Sequence, residues 1–202
     1  MESNRQRTKL KDIAYSLYLY FLGLSYRNTA KALHRFIHRS HVSIWKWTQK
    51  YKPEKISSKR KKINQFIIDE TLLKLGSKFV WLWVAIEPIH RQILKADISF
   101  ERTMLIVAER FISSLINRYG KHPISTADGG TRCPQACRFL KVNHHIHSTL
   151  EKSLIERTMQ YIKDRTEGFD DYFPCKKNKC KLNHVKQWLN LFIDQHNKSI
   201  LS

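Results

Sequence analysis

Three acids stand far apart in this 202-residue chain, and their chemistry depends on whether the fold brings them together. Asp69 and its neighbour Glu70 interrupt the apolar run "FIIDET" over 66–71, Asp128 precedes two glycines in "TADGG", and Glu156 lies in "SLIERTMQYIKDRT". A carboxylate inside an apolar strand is costly unless cations or hydrogen-bond donors compensate it. Three converging carboxylates make an oxygen-only site suited to Mg²⁺ or Mn²⁺. Two such ions about 4 Å apart activate an attacking oxygen and stabilise the leaving one in phosphodiester displacement. Lys163 follows Glu156 by seven residues, which on an α-helix returns almost to the same face and sets an ammonium for a phosphate beside the acid. Each acid alone has a plainer reading: Asp69 a strand end, Asp128 a turn residue, Glu156 one solvated helix charge.

The elements that must position these groups follow from periodicity. Residues 63–74, 78–88 and 91–99 read as strands whose short connections favour an antiparallel meander. Leu105, Ala108, Ile112, Leu115 and Tyr119 recur at helical spacing before Gly120, predicting a helix over 101–119. A short strand over 123–128, a short helix over 133–140, a short strand over 141–144 and helices over 150–166 and 182–196 complete the pattern. That order is α/β of the ribonuclease H type, in which the first strand is central, beside the fourth, and a site forms outside the strand ends. Ile155, Met159 and Ile162 form the inward stripe of the long helix.

The first 62 residues hold sixteen Lys and Arg against three acids, most of a net charge of +20, so the expected partner is a polyanion. Gly23 stops a first helix, Ser25 caps a second, and Ser40 caps a third in which Ile44, Trp47 and Tyr51 share a face. Three short helices with a basic surface predict a helix-turn-helix domain over 1–52, with His41, Ser43, Lys46 and Gln49 on its last helix and Arg27 on its second as DNA-binding candidates. A solvated basic face on a small bundle is the alternative. Residues 53–62 read as a basic linker and 63–202 as the catalytic domain. No apolar run approaches the roughly 18 residues of a spanning helix, and the start lacks a secretory signal. The expectation is a soluble intracellular protein with no membrane partner.

Taken together, "DET" at 69–71, "WLWVAIEP", "TADGG" and "SLIERTMQYIKDRT" resemble the signature of insertion-sequence transposases with a DDE catalytic domain, most nearly the insertion-sequence-six group of archaea and bacteria. The resemblance spans nearly the whole chain. It implies Asp69, Asp128 and Glu156 as the metal-binding triad, holding two Mg²⁺ or Mn²⁺ ions, and Lys163 as the basic residue of the site. It also implies cleavage at terminal inverted repeats of double-stranded DNA, joining of the freed 3′-hydroxyl to target DNA, at least a homodimer to pair two ends, and a prokaryotic nucleoid setting. The chain departs from that pattern in the 27 residues between Asp128 and Glu156, in Ser153 where many members carry Asn, and in Glu87 where many carry Asp. A catalytically inactive or domesticated DNA-binding derivative, or a metal-dependent nuclease without strand transfer, fits the same residues.

Smaller signals read as structure. Cys133, Cys137, Cys175 and Cys180 lack the turn residues of a zinc knuckle and read as reduced thiols. His144, His145 and His147 lack an acid or cysteine at ligand spacing and read as DNA-facing or loop residues. Trp81 and Trp83 alternate along a strand as core and interface aromatics.

Overall fold

In the computed structural model, which describes residues 8–50, 63–75, 78–100, 105–127, 131–166 and 182–201, the chain divides into two units, Met1–Glu54 and Lys55–Ser202. The first holds α1 (Leu10–Phe21), α2 (Tyr26–Leu33) and α3 (His41–Lys50). Gly23, at φ +104°, takes the left-handed conformation that ends α1. Ser25 Oγ accepts the Asn28 N–H at 3.2 Å and Ser40 Oγ accepts the Ser43 N–H at 3.3 Å, so both expected caps form. The buried stripe of α3 is Ile44 and Thr48, whereas Trp47 is half-buried and Tyr51 lies outside the described residues. The small Thr48 fits there because its hydroxyl meets the Tyr26 hydroxyl of α2 at 3.1 Å.

The second unit is built on a five-stranded sheet in the order β3-β2-β1-β4-β5. Its strands are β1 (Phe66–Leu75), β2 (Lys78–Ile86), β3 (Ile93–Ser99), β4 (Ile124–Thr126) and β5 (His144–Ile146). The first three pair antiparallel, and β4 and β5 continue parallel to β1. On one face α4 (Leu105–Tyr119) and α5 (Arg132–Phe139) close a core of Phe66, Ile68, Trp83, Phe111, Ile112, Leu115 and Ile124. Cys133 and Cys137 belong to this core, while Cys175 and Cys180 fall outside the described residues. Against the sheet also pack α6 (Thr149–Thr166), which meets β1 and β2, and α7 (Leu182–Leu201), which meets β3.

Two elements lie where the pattern did not put them. The strand expected over 141–144 forms at 144–146, because Leu140 caps α5 and Lys141, at φ +53°, turns the chain before pairing begins. The last helix runs to Leu201 rather than to 196. Its extension has a purpose: buried Asn197 accepts the Ile93 N–H at 3.0 Å and donates to the Ile93 carbonyl at 2.9 Å, completing β3 as a neighbouring strand would. Asn197→Ala strands both backbone groups, and the expected cost is about 2–4 kcal/mol, read as a fall in the thermal midpoint.

Candidate active site and nucleic-acid interface

Strand alternation separates the two acids of "FIIDET". Ile67, Asp69 and Thr71 share a face with their β2 partners Ile86, Val84 and Leu82. Phe66, Ile68 and Glu70 point the other way, where Phe66 and Ile68 enter the core under α4 and α5. The buried stripe of α6, Ile155, Met159, Ile162 and Thr166, lies outside that core, so α6 packs on the face that carries Asp69. Asp69 is half-buried, and its Oδ1 accepts the Glu70 N–H at 2.9 Å. Glu156 is exposed on the flank of that stripe, with Lys163 half-buried on the same side. Neither side chain forms a hydrogen bond or ion pair among the described residues. Exposed Lys152, one turn before Glu156, extends this flank, a residue the sequence pattern did not single out.

The third acid, Asp128, lies with Gly129 and Gly130 outside the described residues. Its approach is defined: Thr126 of β4 sits opposite Ile68 of β1. On the far side of that segment, Cys133 in the first turn of α5 lies near the β1 acids. Burial pushes its thiol up to about 12, and the negative charges of Glu70, then Cys137, then Asp69 add to the effect. Among the described residues no group of three His, Cys, Asp or Glu side chains is placed to hold a metal ion. The carboxylates of Asp69 and Glu156 are nonetheless hard oxygen donors, and the nearby Cys133 thiol is held protonated by burial, so the donor chemistry suits Mg²⁺ or Mn²⁺.

The histidines differ in part from expectation. His144 and His145 lie on β5 while His147 falls in the loop after it, and an acid does meet His145. His145 Nε2 stands 3.2 Å from Glu151 Oε1, His147 pairs through Nδ1 with Ser125 Oγ at 3.1 Å, and His144 Nε2 meets Thr126 Oγ1 at 2.8 Å. Glu151 is the acid the sequence reading missed. Ser148 and Glu151 form a reciprocal capping box: Glu151 Oε2 accepts the Ser148 N–H at 2.7 Å and Ser148 Oγ accepts the Glu151 N–H at 3.3 Å. The S-x-x-E spacing was the available signal.

Gln65, immediately before β1, also donates to Glu151. Burial works against the Glu151 charge, but the Ser148 N–H, the Gln65 amide, His145 and the Ser148 hydroxyl outweigh it and bring the carboxyl down to about 2. A depressed carboxyl stabilises the fold above its unfolded value and loses that contribution as pH falls through the folded one. The stability gap between wild type and Glu151→Gln is therefore expected to be full near pH 6 and to close between about pH 5 and pH 2, in thermal melts across that range.

In the N-terminal unit Arg27, His41 and Lys46 are exposed, and Gln49 is half-buried. Ser43 instead turns its hydroxyl to Ser40 at 3.3 Å. Val42 and Trp45 join Lys46 on the exposed side of α3.

No protein-family model matches the chain. An uncharacterized protein of Methanocaldococcus jannaschii, MJ0017, is 30% identical over 194 residues, spanning 96% of this chain and 88% of that protein. Among solved structures, the simian T-cell lymphotropic virus intasome has a chain that superposes with a TM-score of 0.50 at 16% identity, over 88% of this chain and 64% of that one. The BIV integrase catalytic core gives 0.48 at 17% identity, over 65% and 82%. The HTLV-2 integrase catalytic core, solved in complex with magnesium, gives 0.47 at 17% identity, over 64% and 82%. The strand order and the helices on the sheet, with the intasome superposition, give the second unit a ribonuclease H-like fold.

Proposed function

We propose that this chain, which belongs to one family with MJ0017 of Methanocaldococcus jannaschii, is a DDE transposase of the insertion-sequence-six-like kind that cuts the terminal inverted repeats of its element and joins the 3′-hydroxyl ends to target DNA. The observation that carries this reading is the face shared by Asp69 and α6, the helix of Glu156 and Lys163. Asp69, Asp128 and Glu156 would hold two Mg²⁺ or Mn²⁺ ions, which when bound supply an activated oxygen nucleophile and charge neutralisation at the phosphodiester. Lys163, with Lys152 on the same flank, offers ammonium groups to the DNA backbone next to the carboxylates. In this reading residues 1–52 are a helix-turn-helix domain that grips the DNA end through Arg27, His41, Ser43, Lys46 and Gln49, residues 53–62 are a linker, and 63–202 do the chemistry.

Pairing two ends calls for a homodimer or larger assembly, and the setting would be the cytoplasm of a prokaryote. No described helix is long and apolar enough to cross a membrane. The test is a strand-transfer assay with the full chain, a labelled duplex bearing the repeat that flanks its coding sequence, and Mg²⁺, beside the same mixture with chelator. Joined product that disappears with chelator is the expected result. Cutting without joining would make the protein a nuclease, and binding of the repeat with neither step a DNA-binding derivative.

A further inference from the structure

Most of what holds α6 on the sheet is apolar. Ile155, Met159 and Ile162 are buried against it, and such contacts are non-directional, so they leave the helix tolerant of a small slide or rotation. One polar cluster is directional. Glu151, in the first turn of α6, is met by Gln65, which leads into β1, and by His145 of β5. Gln65 also donates to Ser125 Oγ of β4 at 3.5 Å, and Ser125 meets His147. The cluster thus joins the start of α6 to β1, β4 and β5. Asp69 lies four residues beyond Gln65 on the strand and Glu156 five beyond Glu151 on the helix, roughly 13 Å and 7.5 Å along their axes.

We propose that Gln65 and Glu151 are positioning residues: their hydrogen bond fixes the register of α6 against β1 and so sets where the Glu156 carboxylate stands relative to Asp69 for a divalent cation. This rests on the metal site of the transposase reading. Mg²⁺ and Mn²⁺ demand a narrow range of oxygen distances, so a shift of a fraction of an ångström in one carboxylate weakens the ion's hold. The contact touches neither DNA nor cation and acts only through the helix.

Mn²⁺ titration of the full chain, followed by loss of the free-ion EPR signal, tests this beside thermal melts. Gln65→Ala is expected to weaken Mn²⁺ binding about tenfold. Ser148→Ala removes a helix cap but not the link to β1, so it is expected to lower the melting temperature while leaving Mn²⁺ affinity within about twofold. The double variant Gln65→Glu with Glu151→Gln exchanges donor and acceptor and keeps the capping box; it is expected to restore binding. Unchanged affinity in Gln65→Ala, or an equal loss in Ser148→Ala, overturns the positioning role alone. Absence of Mn²⁺ binding in the wild type overturns both this role and the metal site it serves.

Discussion

On the transposase reading, Asp69→Asn is expected to abolish strand transfer, with a loss of at least roughly 10³-fold, about 4 kcal/mol at the transition state, while Glu70→Gln is expected to retain activity within a few-fold. Adjacent acids are chemically equivalent in composition, so only their direction separates them. Asp69 shares its face with Val84 and α6, whereas Glu70 shares its face with Ile68 and the core under α4 and α5. On the transposase reading, a carboxylate on the α6 face would join Glu156 at one cation; one on the α5 face points toward the apolar core that includes Cys133. Changing a carboxylate to an amide keeps the shape and removes the anionic donor, so folding is expected to survive in both variants. Single-turnover joining rates, with repeat binding measured in parallel, decide it. An inactive Glu70→Gln beside an active Asp69→Asn would move the site to the other face of the sheet.

Much of this architecture was legible because it rests on local chemistry. Glycines at 23 and 120 take positive φ and end their helices, and Ser25 and Ser40 cap where a hydroxyl precedes helical spacing. Long strands with turn signals between them gave the antiparallel meander, and the central place of β1 followed from the order of elements.

What local pattern could not carry was anything decided by distant partners. The edge strand β5 has two exposed residues of its three, so no apolar alternation marks it, and its register comes from pairing with β4. The polar end of α7 reads as solvent-facing until Asn197 is seen to complete β3 from 104 residues away. Glu151 had the spacing of a capping box, but its contact with Gln65 spans 86 residues. Alternation puts Asp69 and Glu70 on opposite faces from sequence alone, yet which face receives α6 is a property of the packed sheet.

Trp83 carries the largest expected effect on stability. It is 1% exposed, lies opposite Glu70 in β1 and Asp97 in β3, and packs on Phe111 of α4 with ring centroids 5.8 Å apart. Trp83→Ala leaves a ring-sized cavity at the junction of sheet and helix, and a loss of about 3–5 kcal/mol is expected, against a total stability on the order of 5–15 kcal/mol. Trp83→Phe is expected to cost far less than its lost volume implies. The indole Nε1 is buried with no hydrogen-bond partner among the described residues, and an unsatisfied buried donor costs about 1–3 kcal/mol. Phenylalanine removes that donor along with part of the ring, so the two contributions offset and the net change is expected within about 1 kcal/mol of wild type. Denaturant melts of the three proteins separate the contributions. If Trp83→Phe falls as far as Trp83→Ala, the indole N–H is satisfied in solution, and the core at this point is held by a polar contact as well as by packing.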